Sequence, residues 1–196
     1  MDELQDKFER ADGDRLVDSL NRIESASLWF LKRGDLAPDR APDLIYTDGT
    51  NQFGLEVGAA YYHEKDAQFR WKTARGLPNA PQSWGETAEE TMFWGYEPNI
   101  SLRHRIQILL DEKCRKAYGS KCWLLISVKA YGTSRGEFEE MLCEIKIPEA
   151  HSFQRIFLAG LFHVPMTIDG PFRSTAGYFV VEMFPHLNWL LAEPCG

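Results

Sequence analysis

Residues 42–58 read PDLIYTDGTNQFGLEVG, and two apolar runs flank a turn sequence within this stretch. The pair Asp48-Gly49 between β-favouring runs is a strong signal for a β-hairpin. We therefore predict a strand over DLIYT, a turn over DGTNQ and a second strand over FGLEVGAAYY. This hairpin is the local structure around which the other elements are arranged.

Each strand of the predicted hairpin carries one carboxylate, Asp43 at the start of the first and Glu56 inside the second. A hairpin pairs residues symmetrically about its turn, so the two acids are expected to lie close together. Because side chains alternate along a strand, Glu56 shares its face with Gly54 and Gly58, which leave that face open. Neighbouring carboxylates repel each other, and a hard divalent cation such as Mg²⁺ or Mn²⁺ is the commonest remedy.

Length and composition describe one folded domain. The chain has 196 residues, of which 44% are hydrophobic and 13% aromatic, so we predict a single domain over 1–196 with a substantial core. A net charge of −7 argues against a surface that wraps duplex DNA nonspecifically, while leaving room for a local basic groove.

Cysteine usage and hydropathy indicate the compartment. The four cysteines lack the spacing of zinc ligands, and the N-terminal stretch MDELQDKFER is polar and unlike a secretory segment. No apolar run approaches the roughly 20 residues that span a bilayer. We expect a reduced, soluble, cytoplasmic protein that makes no membrane contact.

Hydrophobic periodicity outlines the other elements. It predicts a helix over residues 14–33, ended by Gly34, and a second helix from Ser101 to Tyr118, ended by Gly119. Continuous apolar runs predict buried strands, and the segment GEFEEMLCEIKIP predicts a short helix. The strand segments are CWLLISVKAYG, HSFQRIFLAGLFHVP and GYFVVEMFP.

The order of these elements predicts a three-layer α/β/α sandwich with a mixed central sheet. Its core elements span about 14–130, and further strands and a helix span about 134–196. Residues 63–99, with prolines, glycines and three tryptophans, are typical of a long loop or lid with short helical pieces. They are equally typical of an irregular cap that the tryptophans pin to the core.

Two charged residues lie on predicted apolar stripes. Glu24 follows Leu20 by four residues and precedes Leu28 by four, so it either faces inward or extends to the edge of the stripe. Lys113 lies four residues after Leu109 and continues the inward line of the later helix. The alternative for Lys113 is a charge that complements the helix dipole.

Several signatures are absent from the sequence. It contains no GxGxxG, no phosphate loop of the GxxxxGK type and no GxSxG elbow. The five histidines are isolated, and no cysteine has the context of a catalytic nucleophile. Asp43 and Glu56, with Glu24 and Lys113, therefore remain the strongest candidates for chemistry.

The Pro42-Asp43 pair, followed after the turn by the apolar-Glu-apolar stretch LEV at 55–57, resembles the PD-(D/E)XK nuclease superfamily, which has the restriction-endonuclease-like fold. The order of elements is similar as well: a helix with an inward Glu24, the two motif strands, and a helix leading into the apolar strand WLLIS. The resemblance covers about residues 14–130.

The resemblance implies an endonuclease that hydrolyses phosphodiester bonds with Mg²⁺ or Mn²⁺. Asp43 and Glu56 would be metal ligands and catalytic residues, Glu24 would assist through the metal or a water, and Lys113 would supply the catalytic lysine. In-line attack by water on the phosphodiester is the expected reaction.

The sequence departs from the family at the third motif position, where Gly58 replaces the lysine. Either the site is inactive, or another residue supplies the ammonium group, as in divergent members of the superfamily. Lys113 is the preferred substitute because of its place on the inward stripe. Lys116, one turn further on, and Lys65 and Lys72, in the segment after the strand, are the alternatives.

The expected partner is nucleic acid, with DNA favoured over RNA, and a homodimer is possible. The contacts would come from basic residues near aromatic ones: Arg70, Lys72, Arg75 and Lys116. The competing interpretation is a catalytically inactive module of the same fold that binds nucleic acid or protein, and a third is a different metal hydrolase that uses the same acids. The C-terminal segment NWLLAEPCG is either an interface or core.

Overall fold

The computed structural model describes residues 3–34, 42–61, 72, 75–76, 98–119, 121–129, 134–166 and 173–194. The helices with described bounds are α1 (Glu3–Glu24), α2 (Pro98–Cys114) and α3 (Arg135–Glu144). The strands are β1 (Trp29–Arg33), β2 (Leu44–Thr47), β3 (Gln52–Ala60), β4 (Cys122–Val128), β5 (Phe153–Met166), β6 (Arg173–Phe184) and β7 (Asn188–Pro194). The predicted lid at 63–99 lies almost wholly outside the described residues.

All seven strands form one sheet, in the spatial order β1-β2-β3-β4-β5-β6-β7. The central strands β3, β4 and β5 are parallel, and the strands on either side pair in antiparallel fashion. Parallel neighbours need a crossover, and α2 and α3 supply the two crossovers of this sheet. The mixed sheet confirms the predicted α/β class.

Two apolar clusters hold the helices against the two faces of the sheet. Leu16, Val17 and Leu20 of α1 pack with Leu55 and other inward residues of β2 and β3 on one face. The residues of α2 and α3 pack on the other face with alternate side chains of β4 and β5. Helices therefore cover both faces, which confirms the predicted three-layer sandwich.

The predicted hairpin is present. β2 and β3 pair with Leu44 opposite Leu55 and Thr47 opposite Gln52. In the turn, the Asp48 carboxylate accepts hydrogen bonds from the backbone N–H groups of the residues two and three positions later. Gly49 has a φ of 90°, a conformation that glycine adopts without strain.

The first helix differs from its prediction. It ends at Glu24, not at residue 33, and residues 29–33 form the edge strand β1. Ser25 has a positive φ of 52°, and the Asn21 side chain bonds both the N–H and the C=O of Leu28, which turns the chain back toward the sheet. The apolar residues at the end of the predicted helix therefore belong to a strand.

Other boundaries differ less. The second helix begins at Pro98, so Ser101 lies inside it and is not its N-cap, and it ends at Cys114 instead of Tyr118. The short helix α3 is present, with a capping box between Ser134 and Glu137. The C-terminal segment forms β7, which pairs with β6 at the other edge of the sheet. No helix in the described part of the chain is long and apolar enough to cross a membrane.

Candidate active site

Asp43 and Glu56 lie side by side at the open end of the hairpin. Because Leu44 pairs with Leu55, the next step along the ladder places Asp43 opposite Glu56. The Asp43 Oδ2 atom accepts a hydrogen bond of 2.8 Å from the backbone N–H of Val57, which fixes this carboxylate at the edge of β3. Alternation turns both acids away from α1 and toward the face that α2 covers.

Burial and charge destabilise the ionised form of Asp43. Burial is the main cause that raises the pKa of Asp43 to about 7, and the neighbouring charge of Glu56 is the second. The Val57 hydrogen bond and the more distant Lys113 act in the opposite direction. Near neutral pH the carboxylate pair therefore gains from any cation that can occupy the space beside it.

Lys113, in the last turn of α2, supplies one such cation. Its Nζ atom lies 2.5 Å from Glu56 Oε1. Glu56 is only 5% exposed and the Lys113 side chain 18% exposed, so the two form a largely buried ion pair. A buried pair of this kind is strongly interdependent, because removal of either partner leaves an uncompensated charge.

Gly58 provides the space in which Lys113 lies. A Cβ atom at Gly58 would lie 3.9 Å from Lys113 Cε and 3.8 Å from Leu109 Cδ2. The aliphatic stem of Lys113 thus crosses β3 beside the position from which a lysine of the strand itself would project. The absence of a side chain at Gly58 and the approach of Lys113 are two parts of one arrangement.

Two further polar side chains border Glu56. Tyr118, just after α2, is 8% exposed, and its hydroxyl has no hydrogen-bond partner among the described residues. Burial, and then the nearby charge of Glu56, raise the Tyr118 pKa, so these groups approach each other without meeting the geometry of a hydrogen bond. Burial and the charge of Glu56 also raise the pKa of Cys122 to about 12, which keeps that thiol protonated and unreactive.

Glu24 does not join this group. Its carboxylate accepts hydrogen bonds of 2.5 and 3.0 Å from the guanidinium of Arg155, which also bonds Glu182. The guanidinium lies over the rings of Trp123 and Phe157, whose packing belongs to the α1 face of the sheet. Glu24 and the Asp43–Glu56 pair are therefore on opposite faces.

Glu9 is the acid of α1 that does approach Asp43. Its charge contributes to the raised pKa of Asp43. Arg33 Nη1 lies 3.3 Å from both Glu9 Oε2 and the backbone oxygen of Asp43, so it holds the two segments together. The sequence contained a signal for this, since Glu9 continues the helical spacing of the buried Gly13 and Leu16, but the predicted helix began at residue 14.

The predicted nucleic-acid contacts are less defined. Lys72, Arg75 and Lys116 are exposed, as a phosphate-binding residue must be, and Arg70 lies outside the described residues. Of these residues, Lys116 is closest in sequence to Lys113, and its backbone N–H bonds the Lys113 carbonyl oxygen.

The donor set was tested against the metal that the resemblance implies. Among the described residues, no group of three or more His, Cys, Asp or Glu side chains is arranged to hold a metal ion. Mg²⁺ commonly binds through one or two carboxylates and keeps water or phosphate oxygens as its other ligands. Asp43 and Glu56, two oxygen donors whose mutual repulsion a cation would relieve, fit such an ion and not a zinc site with four protein ligands.

Comparisons of the chain with protein-family models, with curated proteins and with solved structures gave no match.

Proposed function

We propose that this protein is a metal-dependent nuclease that hydrolyses phosphodiester bonds of nucleic acid, with DNA favoured over RNA. The observation that carries the proposal is the position of Lys113, whose Nζ atom lies 2.5 Å from Glu56 beside the bare backbone of Gly58. Two carboxylates and one ammonium group on a shared face are the charged groups that this reaction requires.

The order of elements supports the same proposal. A helix, two strands with the motif acids, a second helix and an apolar strand follow one another as α1, β2, β3, α2 and β4. The second helix brings its last turn back over the second motif strand. In this way a lysine 55 residues after Gly58 reaches the place of a lysine in the strand.

Each residue has a distinct role in the proposed reaction. Asp43 and Glu56 would hold Mg²⁺ or Mn²⁺, which when bound would polarise the phosphodiester and lower the pKa of water. An ammonium group has three donors, so Lys113 can keep Glu56 with one and orient the attacking water or a phosphate oxygen with another. Glu9, through its charge, would strengthen the attraction of the site for the cation. Lys72, Arg75 and Lys116, with Arg70, would contact the phosphate backbone.

A cleavage assay tests the proposal. Single-stranded DNA, duplex DNA and RNA are incubated with the protein in Mg²⁺, in Mn²⁺ and in EDTA. We expect metal-dependent cleavage that falls more than about 100-fold in Asp43→Asn and in Glu56→Gln, because each change removes a metal ligand. Asp18→Asn on α1 and Glu139→Gln on α3 are matched controls, since both residues are exposed, and they should cleave as the unchanged protein does.

The assay also states what would end the proposal. If no substrate is cut in either metal, or if Asp43→Asn cuts as fast as Asp18→Asn, the protein is not a nuclease of this kind. All variants are compared at equal concentration after their thermal unfolding has been measured, so a loss of fold is not counted as a loss of activity.

The second candidate is a catalytically inactive module of the same fold that binds nucleic acid or protein. One observation favours it: Lys113 already neutralises Glu56 without a metal ion. A permanent ion pair would make the lysine a substitute for the cation, and the protein would then bind nucleic acid equally well in EDTA and in Mg²⁺ and would bind Mn²⁺ at neither acid. A cytoplasmic location and a homodimer remain predictions.

A further inference from the structure

The hydroxyl group of Tyr118 is a buried donor without a partner. Tyr118 is 8% exposed, and its oxygen has no hydrogen-bond partner in the described part of the chain. The great majority of buried polar groups in native proteins are hydrogen-bonded, so an exception in a well-packed position needs an explanation. Such groups are often donors for something that binds later.

The surroundings of Tyr118 fix the direction of this hydroxyl. Its backbone N–H donates a hydrogen bond of 3.1 Å to Ser152 Oγ, and its ring lies 4.8 Å from the ring of Phe153, measured between centroids. The ring therefore cannot turn freely. Glu56 is the ionised group with the strongest effect on the Tyr118 hydroxyl, and Asp43 has a smaller effect. The donor thus points toward the carboxylate pair from beneath α2.

Glu56 has one oxygen committed and one available. Lys113 occupies Oε1 at 2.5 Å, and among the described residues no hydrogen bond is made to the other oxygen of this carboxylate. When a carboxylate binds a metal ion, a second hydrogen bond normally fixes its orientation, and that bond affects affinity strongly. The Tyr118 hydroxyl is the buried donor in place to make it.

We propose that Tyr118 is a positioning residue whose hydroxyl orients Glu56 when this carboxylate binds a divalent cation. The proposal rests on the metal site of the proposed function and adds a residue that the motif acids and the lysine do not include. In the metal-free protein the hydroxyl is idle, and in the metal-bound protein it is a hydrogen-bond donor. The substitution Tyr118→Phe removes only this oxygen and keeps the ring that packs on Phe153.

The first measurement compares Mn²⁺ binding by calorimetric titration in the unchanged protein and in Tyr118→Phe. We expect the affinity for Mn²⁺ to fall about tenfold, while the melting temperature in EDTA stays the same or rises. A residue with a purely structural hydrogen bond would behave in the opposite way. An unchanged affinity for Mn²⁺, or a lower melting temperature in EDTA, would overturn the proposal.

The second measurement needs no metal and so separates this proposal from the metal site itself. In Lys113→Met, the buried Glu56 charge loses its cation, and the Tyr118 hydroxyl becomes its nearest donor. We expect Tyr118→Phe to lower the denaturant midpoint in the Lys113→Met background and to leave it unchanged in the Lys7→Met background, where the exposed lysine of α1 is the control. Equal effects in both backgrounds would overturn the role of Tyr118.

The two measurements fail in different ways. If the unchanged protein binds no Mn²⁺, the proposed nuclease fails, and the denaturant experiment alone decides whether Tyr118 is a reserve donor for Glu56. If Mn²⁺ binds and Tyr118→Phe binds it equally well, the metal site stands and the positioning role is wrong.

Discussion

At the scale of single residues, the site depends on a carboxylate that is costly to ionise. Asp43 has a pKa of about 7 in the folded protein and an ordinary value of 3.8. The folded state therefore binds this proton more tightly than the unfolded state does. The contribution of Asp43 to stability is fully present below about pH 4 and is lost as the pH rises through 7.

This sign gives a prediction for Asp43→Asn. Without metal, the free energy of unfolding of the unchanged protein should fall between pH 4 and pH 8 relative to that of Asp43→Asn, by a difference on the order of 4 kcal/mol. Denaturant unfolding in EDTA across this range measures it. Asp18→Asn should follow the unchanged protein, and parallel pH curves for the unchanged protein and Asp43→Asn would show that Asp43 is not destabilised by ionisation.

The two glycines of β3 that flank Glu56 lead to opposite predictions. A Cβ atom at Gly54 would overlap the ring of Pro42, whereas one at Gly58 would make ordinary contacts of 3.8–4.0 Å with Leu109 and Lys113. Gly54→Ala should destabilise the protein by about 1–3 kcal/mol, and Gly58→Ala should change its stability little. Thermal unfolding of the two variants side by side tests this, and equal losses of stability would contradict the packing described at Pro42.

At the scale of elements, helix α1 carries two acids with different functions. Arg155 holds Glu24 in an ion-pair cluster with Glu182, and this cluster ties the end of α1 to β5 and β6. Glu9, near the other end of the helix, contacts Arg33 and acts on Asp43. The helix thus connects the sheet to the site through its first half and to the fold through its last turn.

Matched variants separate these functions. Glu24→Gln should lower the free energy of unfolding by about 1–3 kcal/mol, because it weakens a charge-assisted hydrogen bond, and should leave Mn²⁺ affinity within about twofold of the unchanged value. Glu9→Gln should weaken Mn²⁺ binding by about tenfold at most, because it removes a negative charge near Asp43. The pattern would be contradicted if Glu24→Gln, properly folded, lost more affinity for Mn²⁺ than Glu9→Gln.

The elements that the sequence could predict are those specified by local chemistry. The β2–β3 hairpin follows from its turn residues and the buried strand β4 from its apolar run, and both are present. The end of α1 was not predictable from periodicity, because it depends on the Ser25 conformation and on the Asn21 bonds to Leu28. Lys113 was placed beside β3 by its stripe, whereas Glu9 needed the correct start of the helix.

At the scale of the whole molecule, the sheet separates structure from proposed chemistry. One face packs against α1 and carries the Arg155 cluster, and the other lies under α2 and holds Glu56, Lys113 and Tyr118. The crossover helix α2 joins two parallel strands, and for that reason its last turn returns over β3. A lysine on this helix can therefore take a position that local sequence does not reveal.

The central claim is that Lys113 performs the function of a lysine at position 58. Its most direct test is metal-dependent DNA cleavage by the unchanged protein, by Lys113→Met, by the combined variant Gly58→Lys with Lys113→Met, and by Lys7→Met as control. The unchanged protein and Lys7→Met should cut equally. Lys113→Met should cut about 100- to 1,000-fold more slowly, and the combined variant should recover a substantial part of this loss. Cleavage by Lys113→Met at the rate of the unchanged protein would contradict the claim.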